Sequence, residues 1–178
     1  MTWLNRIFGG SQEMAALTAG TKAPDFALAA VDGTTFSLQS ALQKGPVLAA
    51  FFKVSCPVCQ YTFPYIERLH KAHGAGKITI VGISQDDKRA TNAFLKEYGV
   101  TFPTLLDDPN GYAVSNAYGL TAVPTWFLIG QDGEIEISSV GWNKKEVEDL
   151  NRKLADLQKT PPPQLFKSGE EVRDFRSG

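Results

Sequence analysis

Apolar and polar residues change rhythm several times along this chain, and each change predicts an element. Phe26-Ala27-Leu28 and Thr35-Phe36-Ser37-Leu38 bracket Asp32-Gly33. That dipeptide suits the positive φ of a tight turn, so a β-hairpin is expected near the start. Pro46 then precedes Val47-Leu48-Ala49-Ala50-Phe51-Phe52, apolar at every position. Continuous rather than alternating hydrophobicity predicts a central strand buried on both faces. The period lengthens after it. Val58, Tyr61, Tyr65, Ile66 and Leu69 share one helical face, predicting a helix from Pro57 to His73 with Gly74 as its stop.

Ile78-Thr79-Ile80-Val81-Gly82-Ile83 is the next β-rich run, and a helix from Asp87 to Tyr98 closed by Gly99 follows. Pro103-Thr104-Leu105-Leu106 reads as a short strand and Tyr112–Tyr118 as a helical turn. Thr125-Trp126-Phe127-Leu128-Ile129 and Ile135–Val140 flank Gln131-Asp132-Gly133, a second hairpin. The last helix should start at Asn143, with Glu146 reaching back in a reciprocal capping box. Val147, Leu150, Leu154 and Leu157 then form its apolar stripe. Strands alternating with helices, then a closing hairpin and helix, predict an α/β fold: a mixed central sheet flanked by helices, with an N-terminal hairpin extension.

The ends differ from this core. Residues 1–19 carry Trp3, Leu4, Ile7 and Phe8 at helical spacing, interrupted by Asn5 and Arg6. An amphipathic or flexible segment is expected there, since a secretory signal needs a continuous apolar region of about 7–15 residues. No run reaches the roughly 20 apolar residues of a membrane span. The expected location is therefore the cytoplasm. Thr160-Pro161-Pro162-Pro163 stops the last helix, and residues 159–178 are expected to form a tail packed loosely or disordered. Between these ends, residues 20–158 form the predicted domain.

Composition narrows the function by exclusion. The chain has 178 residues, 43% hydrophobic and 21% charged, which suits an ordinary globular domain. Lysine plus arginine (18) nearly balances aspartate plus glutamate (19), arguing against a general electrostatic grip on nucleic acid or anionic lipid. Two cysteines are too few for a disulfide scaffold, and both fall within Cys56-Pro57-Val58-Cys59.

That position has chemical meaning. The first four backbone N–H groups of a helix lack intrahelical partners and carry the positive end of its dipole. A cysteine at the cap is therefore expected to ionise below the free value of about 8.5. Pro57 fits the first helical position, where its missing N–H costs nothing. Cys59, one turn on and more buried, suits the resolving role. The expected cycle is attack by Cys56 on a partner disulfide, then release by Cys59. A structural disulfide in so short a loop is the bland alternative. A zinc site with His70 and His73 fails on geometry, since Cys59 and His70 on one helix lie about 16 Å apart. Those histidines are expected to be solvated near the helix end, and neither a metal nor another cofactor is expected.

FFKVSCPVCQYTFPYIERL together with AVPTWFLIGQDGEI resembles the thioredoxin superfamily, within its TlpA-like and AhpC/TSA redoxin branch. Gly20-Thr21-Lys22-Ala23-Pro24-Asp25-Phe26-Ala27-Leu28 looks like that branch's N-terminal signature. The resemblance implies a thioredoxin-like fold, thiol-disulfide oxidoreductase activity and antioxidant chemistry. Its partners would be protein or small-molecule disulfides and a thiol electron donor. It also implies a cis Val123–Pro124 bond facing the cysteines, with Val123 pairing to an extended substrate, Thr125 beside it and Gly141 near the same surface. Pro64 would kink the helix below the site. Three departures stand out: Ala50 and Thr62 occupy the places of acids that usually accept the second cysteine's proton, and Ser55 replaces a tryptophan. Lys53 is expected to compensate in part by favouring the Cys56 thiolate. A peroxiredoxin-like peroxide reductase is the alternative, disfavoured because Lys53 and Ala49 stand where its threonine and proline belong. A binding module that has lost efficient catalysis is the third reading.

Overall fold

The computed structural model describes residues 15–178, so the segment containing Trp3, Leu4, Ile7 and Phe8 lies outside the described residues. The opening hairpin pairs β1 (Ala27–Ala29) with β2 (Thr35–Ser37). Asp32 closes it by accepting the Thr34 N–H at 2.9 Å and the Thr34 hydroxyl at 2.6 Å. A short helix, α1 (Leu38–Leu42), follows directly.

The apolar run becomes β3 (Val47–Phe52), buried at all six positions. It is the middle strand of a five-stranded sheet because both its edges are used. β4 (Thr79–Ser84) runs parallel on one side and β6 (Thr125–Ile129) antiparallel on the other. β5 (Thr104–Leu106) extends the sheet beyond β4, and β7 (Ile135–Val140) beyond β6. Alternate side chains divide the core in two. Leu48, Ala50 and Phe52 face helices α2 (Pro57–His73), α3 (Lys88–Glu97) and α5 (Lys144–Gln158), meeting Phe63, Phe94 and Leu154. Val47, Ala49 and Phe51 face the opposite layer, where they meet Leu38 and Tyr118, the latter just after α4 (Ala113–Ala117). Burying each of the two phenylalanines contributes about 1.5–3 kcal/mol. The outer edge of β7 is covered by the chain's own start: Gly20 and Ala23 donate to Ile135 and Gly133, and Ile135 donates back to Thr21.

The sheet register places the site. Phe51 lies opposite both Ile83 and Thr125, and Phe52 opposite Ser84. The segments leaving β3 and β4 and the segment entering β6 therefore converge at one end of the sheet. Those segments carry Cys56, Asp86 and Val123-Pro124.

Several expectations need correction. The tail is not loose. Leu165 is buried, Phe166 and Val172 pack on the α2–α5 core, and β9 (Phe175–Arg176) pairs antiparallel with β8 (Trp142–Asn143). Arg68 holds Glu170 through both guanidinium nitrogens at 2.8 and 2.7 Å. The apolar residues in this stretch are few, so its anchoring by single hydrogen bonds left no periodic trace. Asn143 does cap α5, accepting the Glu146 N–H at 3.2 Å, but Glu146 turns its carboxylate to the Ser139 hydroxyl instead of back to the cap. Leu157, expected in the apolar stripe of α5, is 40% exposed. His73 is buried rather than solvated: Nε2 meets Asn151 Oδ1 at 2.8 Å and Nδ1 meets Gln158 Nε2 at 3.1 Å, so α5 satisfies both ring nitrogens. His70 is partly buried, edge-on to Phe102, its Nδ1 without a hydrogen-bond partner among the described residues.

Candidate active site

Cys56 is the N-cap of α2, with extended backbone at φ −83° and ψ 115°. Its carbonyl accepts the first intrahelical bond, from Gln60 N–H at 3.0 Å. Its sulfur takes the place that a serine or aspartate oxygen fills at other helix starts, accepting the Cys59 N–H at 3.2 Å. Pro57 occupies the next position, exposed and with no amide to leave unpaired. The loop before Cys56 is tied down from three sides. Lys53 carbonyl accepts the Cys56 N–H at 3.1 Å, Gln60 Nε2 donates to Val54 carbonyl at 2.9 Å, and Asp86 Oδ2 accepts the Val54 N–H at 2.7 Å.

The two sulfurs sit in different environments. Both are free thiols, Cys56 partly exposed and Cys59 fully buried. Burial pushes the Cys59 thiol far above the usual cysteine range, aided by its hydrogen bond with Cys56 and by the negative field of Asp86, while the Lys53 main chain opposes the rise. Cys59 is thus held protonated until something removes its proton. Opposite Cys56 lies the Val123–Pro124 peptide, which is cis. Its Val123 carbonyl accepts the Cys56 thiol at 3.3 Å. Gly141, at φ 76°, donates to the Pro124 carbonyl at 2.7 Å and forms the neighbouring wall. Tyr61 and Trp142 stack edge to face at 5.1 Å and complete an aromatic flank.

This geometry suits thiol-disulfide exchange: one sulfur is reachable, a second lies one helical turn behind it, and a main-chain edge stands beside the first. The family comparison decides the assignment, because the Redoxin family model matches residues 18–154. The chain belongs to the Redoxin family. Among its relatives is the thiol-disulfide oxidoreductase ResA of Bacillus subtilis, 32% identical over 135 residues that span 75% of this chain and 72% of that protein. The thioredoxin-like protein YneN of Bacillus subtilis is 31% identical over 143 residues, 78% of this chain and 81% of that one. Among solved structures, a thiol:disulfide interchange protein of the thioredoxin family from Chlorobium tepidum superposes with a TM-score of 0.65 at 26% identity, covering 80% of this chain and 99% of the other. The thioredoxin domain of a thiol-disulfide oxidoreductase from Bacteroides vulgatus gives 0.69 at 21% identity, covering 78% and 98%, and shows the shared fold. This Redoxin-family chain is a thioredoxin-like thiol-disulfide oxidoreductase.

Cys56, Cys59, Pro57, Val123, Pro124 and Gly141 come together at this end of the sheet. Lys53 reaches the site through its carbonyl. Thr125 is fully buried, paired in the sheet with Phe51 and Val140, and its hydroxyl donates to Ala122 carbonyl at 2.8 Å. At the two places where an acid is usual, Ala50 is buried in the core and Thr62 spends its hydroxyl on Val58 carbonyl at 2.7 Å. The carboxylate that does approach, Asp86, went unrecognised in the sequence. Its signal was its place just past the end of β4, where a parallel sheet gathers its functional groups.

Proposed function

We propose that the chain reduces disulfides of other proteins in the cytoplasm, with Cys56 as nucleophile and Cys59 as resolving thiol. The Cys56 thiolate attacks a partner disulfide, forming a mixed disulfide and expelling one partner thiolate. Cys59 then loses its proton and attacks Cys56 Sγ, forming the Cys56–Cys59 disulfide and releasing the second partner thiol. Two electrons pass to the partner, and an external thiol donor restores the dithiol. The observation that carries this reading is the asymmetry of the pair. A partly exposed cysteine's sulfur receives an amide at 3.2 Å beside the Val123 carbonyl, and a buried one stands behind it. An extended substrate would pair along the Val123 edge, a short case of strand addition. Ala50 and Thr62 leave the part of proton acceptor vacant; Asp86, whose carboxylate accepts the Val54 N–H at 2.7 Å in the loop before Cys56, is the acid proposed to fill it.

The test is insulin reduction with dithiothreitol beside hydrogen peroxide consumption, for the native chain and Cys56→Ser. Reduction of insulin that Cys56→Ser abolishes, with slow peroxide turnover, is expected. Peroxide consumption without insulin reduction would move the assignment to a peroxidase. Activity in neither, in a folded protein, would leave a binding module.

A further inference from the structure

The main-chain edge beside Cys56 is already in contact with the chain's own residues 173–178. Lys144 N–H donates to Asp174 carbonyl at 2.9 Å, and Trp142 and Asn143 pair with Arg176 and Phe175. Trp142 Nε1 donates to Arg173 carbonyl at 2.5 Å, and Arg173 N–H donates to the Tyr61 hydroxyl at 3.0 Å. The Arg176 guanidinium covers the Tyr61 ring at 5.2 Å. The contact then reaches the cis-proline loop. A Cβ added at Gly178 would stand 2.8 Å from Val123 carbonyl oxygen and 3.4 Å from Gly141 Cα, while one added at Gly141 would stand 2.6 Å from Arg176 carbonyl oxygen. The same Val123 carbonyl receives the Cys56 thiol.

A substrate strand laid along Val123 and Gly141 would therefore meet this backbone. We propose that residues 173–178 are an internal competitor for extended protein substrates. A protein disulfide must lift this strap, whereas a small disulfide that needs only the Cys56 sulfur need not. The inference rests on Cys56 being the attacking thiol. The strap is built to lift: β8 and β9 pair over only two residues each, and Phe175 is 63% exposed. Its base stays fixed by the Arg68–Glu170 pair and buried Leu165, so the tip redocks from a high local concentration. If the free edge is populated about 1–10% of the time, releasing the strap raises apparent protein-substrate affinity about 10- to 100-fold.

The experiment compares the native chain with one shortened to residue 172, on insulin and on hydroxyethyl disulfide. The shortened chain should gain about tenfold or more in kcat/KM on insulin and change by less than about threefold on the small disulfide. An unchanged ratio of the two, with both chains active, overturns the strap and leaves the thiol chemistry standing. Inactivity of both chains on both disulfides overturns the exchange reading and the strap with it. A second measurement needs no truncation. Cys59→Ser is reacted with an extended peptide carrying a thionitrobenzoate disulfide, so that Cys56 takes the peptide and thionitrobenzoate leaves. The Trp142 indole N–H resonance should shift with the peptide, because its bond to Arg173 breaks, and stay in place with a mercaptoethanol adduct. No shift with the peptide overturns the proposal.

Discussion

Glu170→Gln removes one charge and little volume, so it isolates the ion pair that anchors the tail. Glu170 accepts two bonds from Arg68, at 2.7 and 2.8 Å, and one from Lys167 N–H at 2.9 Å. The Arg68 bonds come first among the causes that lower its pKa from 4.5 to about 2. Unscreened, a drop of that size corresponds to about 3 kcal/mol. The side chains are 29% and 21% exposed, so solvent reduces the worth of even this bidentate pair to about 1 kcal/mol. For a chain of this length each kcal/mol shifts Tm by roughly 2–4 °C, so the variant should melt about 2–4 °C lower at pH 7. The sign with pH follows from the lowered value. The stabilisation is complete above the unfolded pKa near 4.5 and disappears as pH falls towards 2. Thermal melts of both proteins between pH 7 and pH 2 should therefore converge at the acid end. Equal Tm values at pH 7, or a gap that persists at pH 2, would refute the reasoning.

Gly141→Ala places a Cβ at φ 76° and 2.6 Å from Arg176 carbonyl oxygen, costing about 1–2 kcal/mol in backbone strain. Its tail amides 174–178 should also exchange hydrogen faster; native exchange there would count against the contact. Asn151→Leu strands His73 Nε2 and Pro163 carbonyl, both bonded to Asn151 at 2.8 Å, and should cost about 1–3 kcal/mol in urea unfolding. A smaller loss would mean that water reaches the ring. Cys59 and Tyr118 both have pKa values raised chiefly by burial. The folded state thus binds the proton more tightly, and stability present below the unfolded values is lost as pH rises above about 9. Cys59→Ser should lessen this decline by about 0.7 kcal/mol per pH unit near pH 9, rising towards about 1.4 a unit higher, read from urea midpoints; an identical slope would show that Cys59 ionises freely.

The alternation of apolar runs with helical periods was enough to place β3, α2 and both hairpins, because those elements are specified by burial on two faces or one. Cys56 and Cys59 were legible for the same reason: the end of an all-apolar strand and a proline at the first helical position fix where the pair must sit. What escaped was everything made by long-range single contacts. His73 looks like any histidine near a helix end until α5 brings Asn151 to it. Asp86 differs from its neighbour Asp87 only in facing Val54 instead of capping α3, where Asp87 accepts the Ala90 N–H at 2.8 Å. The tail is held by Arg68, Tyr61 and Trp142, residues 97 to 112 positions away or on the far side of α5, and no local pattern encodes such partners.

The division of labour between the two sulfurs is tested most directly by trapping. Cys56→Ser and Cys59→Ser are each incubated with a disulfide-bonded protein substrate, quenched in acid and mapped by mass spectrometry. Cys59→Ser should accumulate a mixed disulfide on Cys56, and Cys56→Ser should yield none on the buried Cys59. A stable adduct on Cys59, or equal trapping by both variants, would contradict the account.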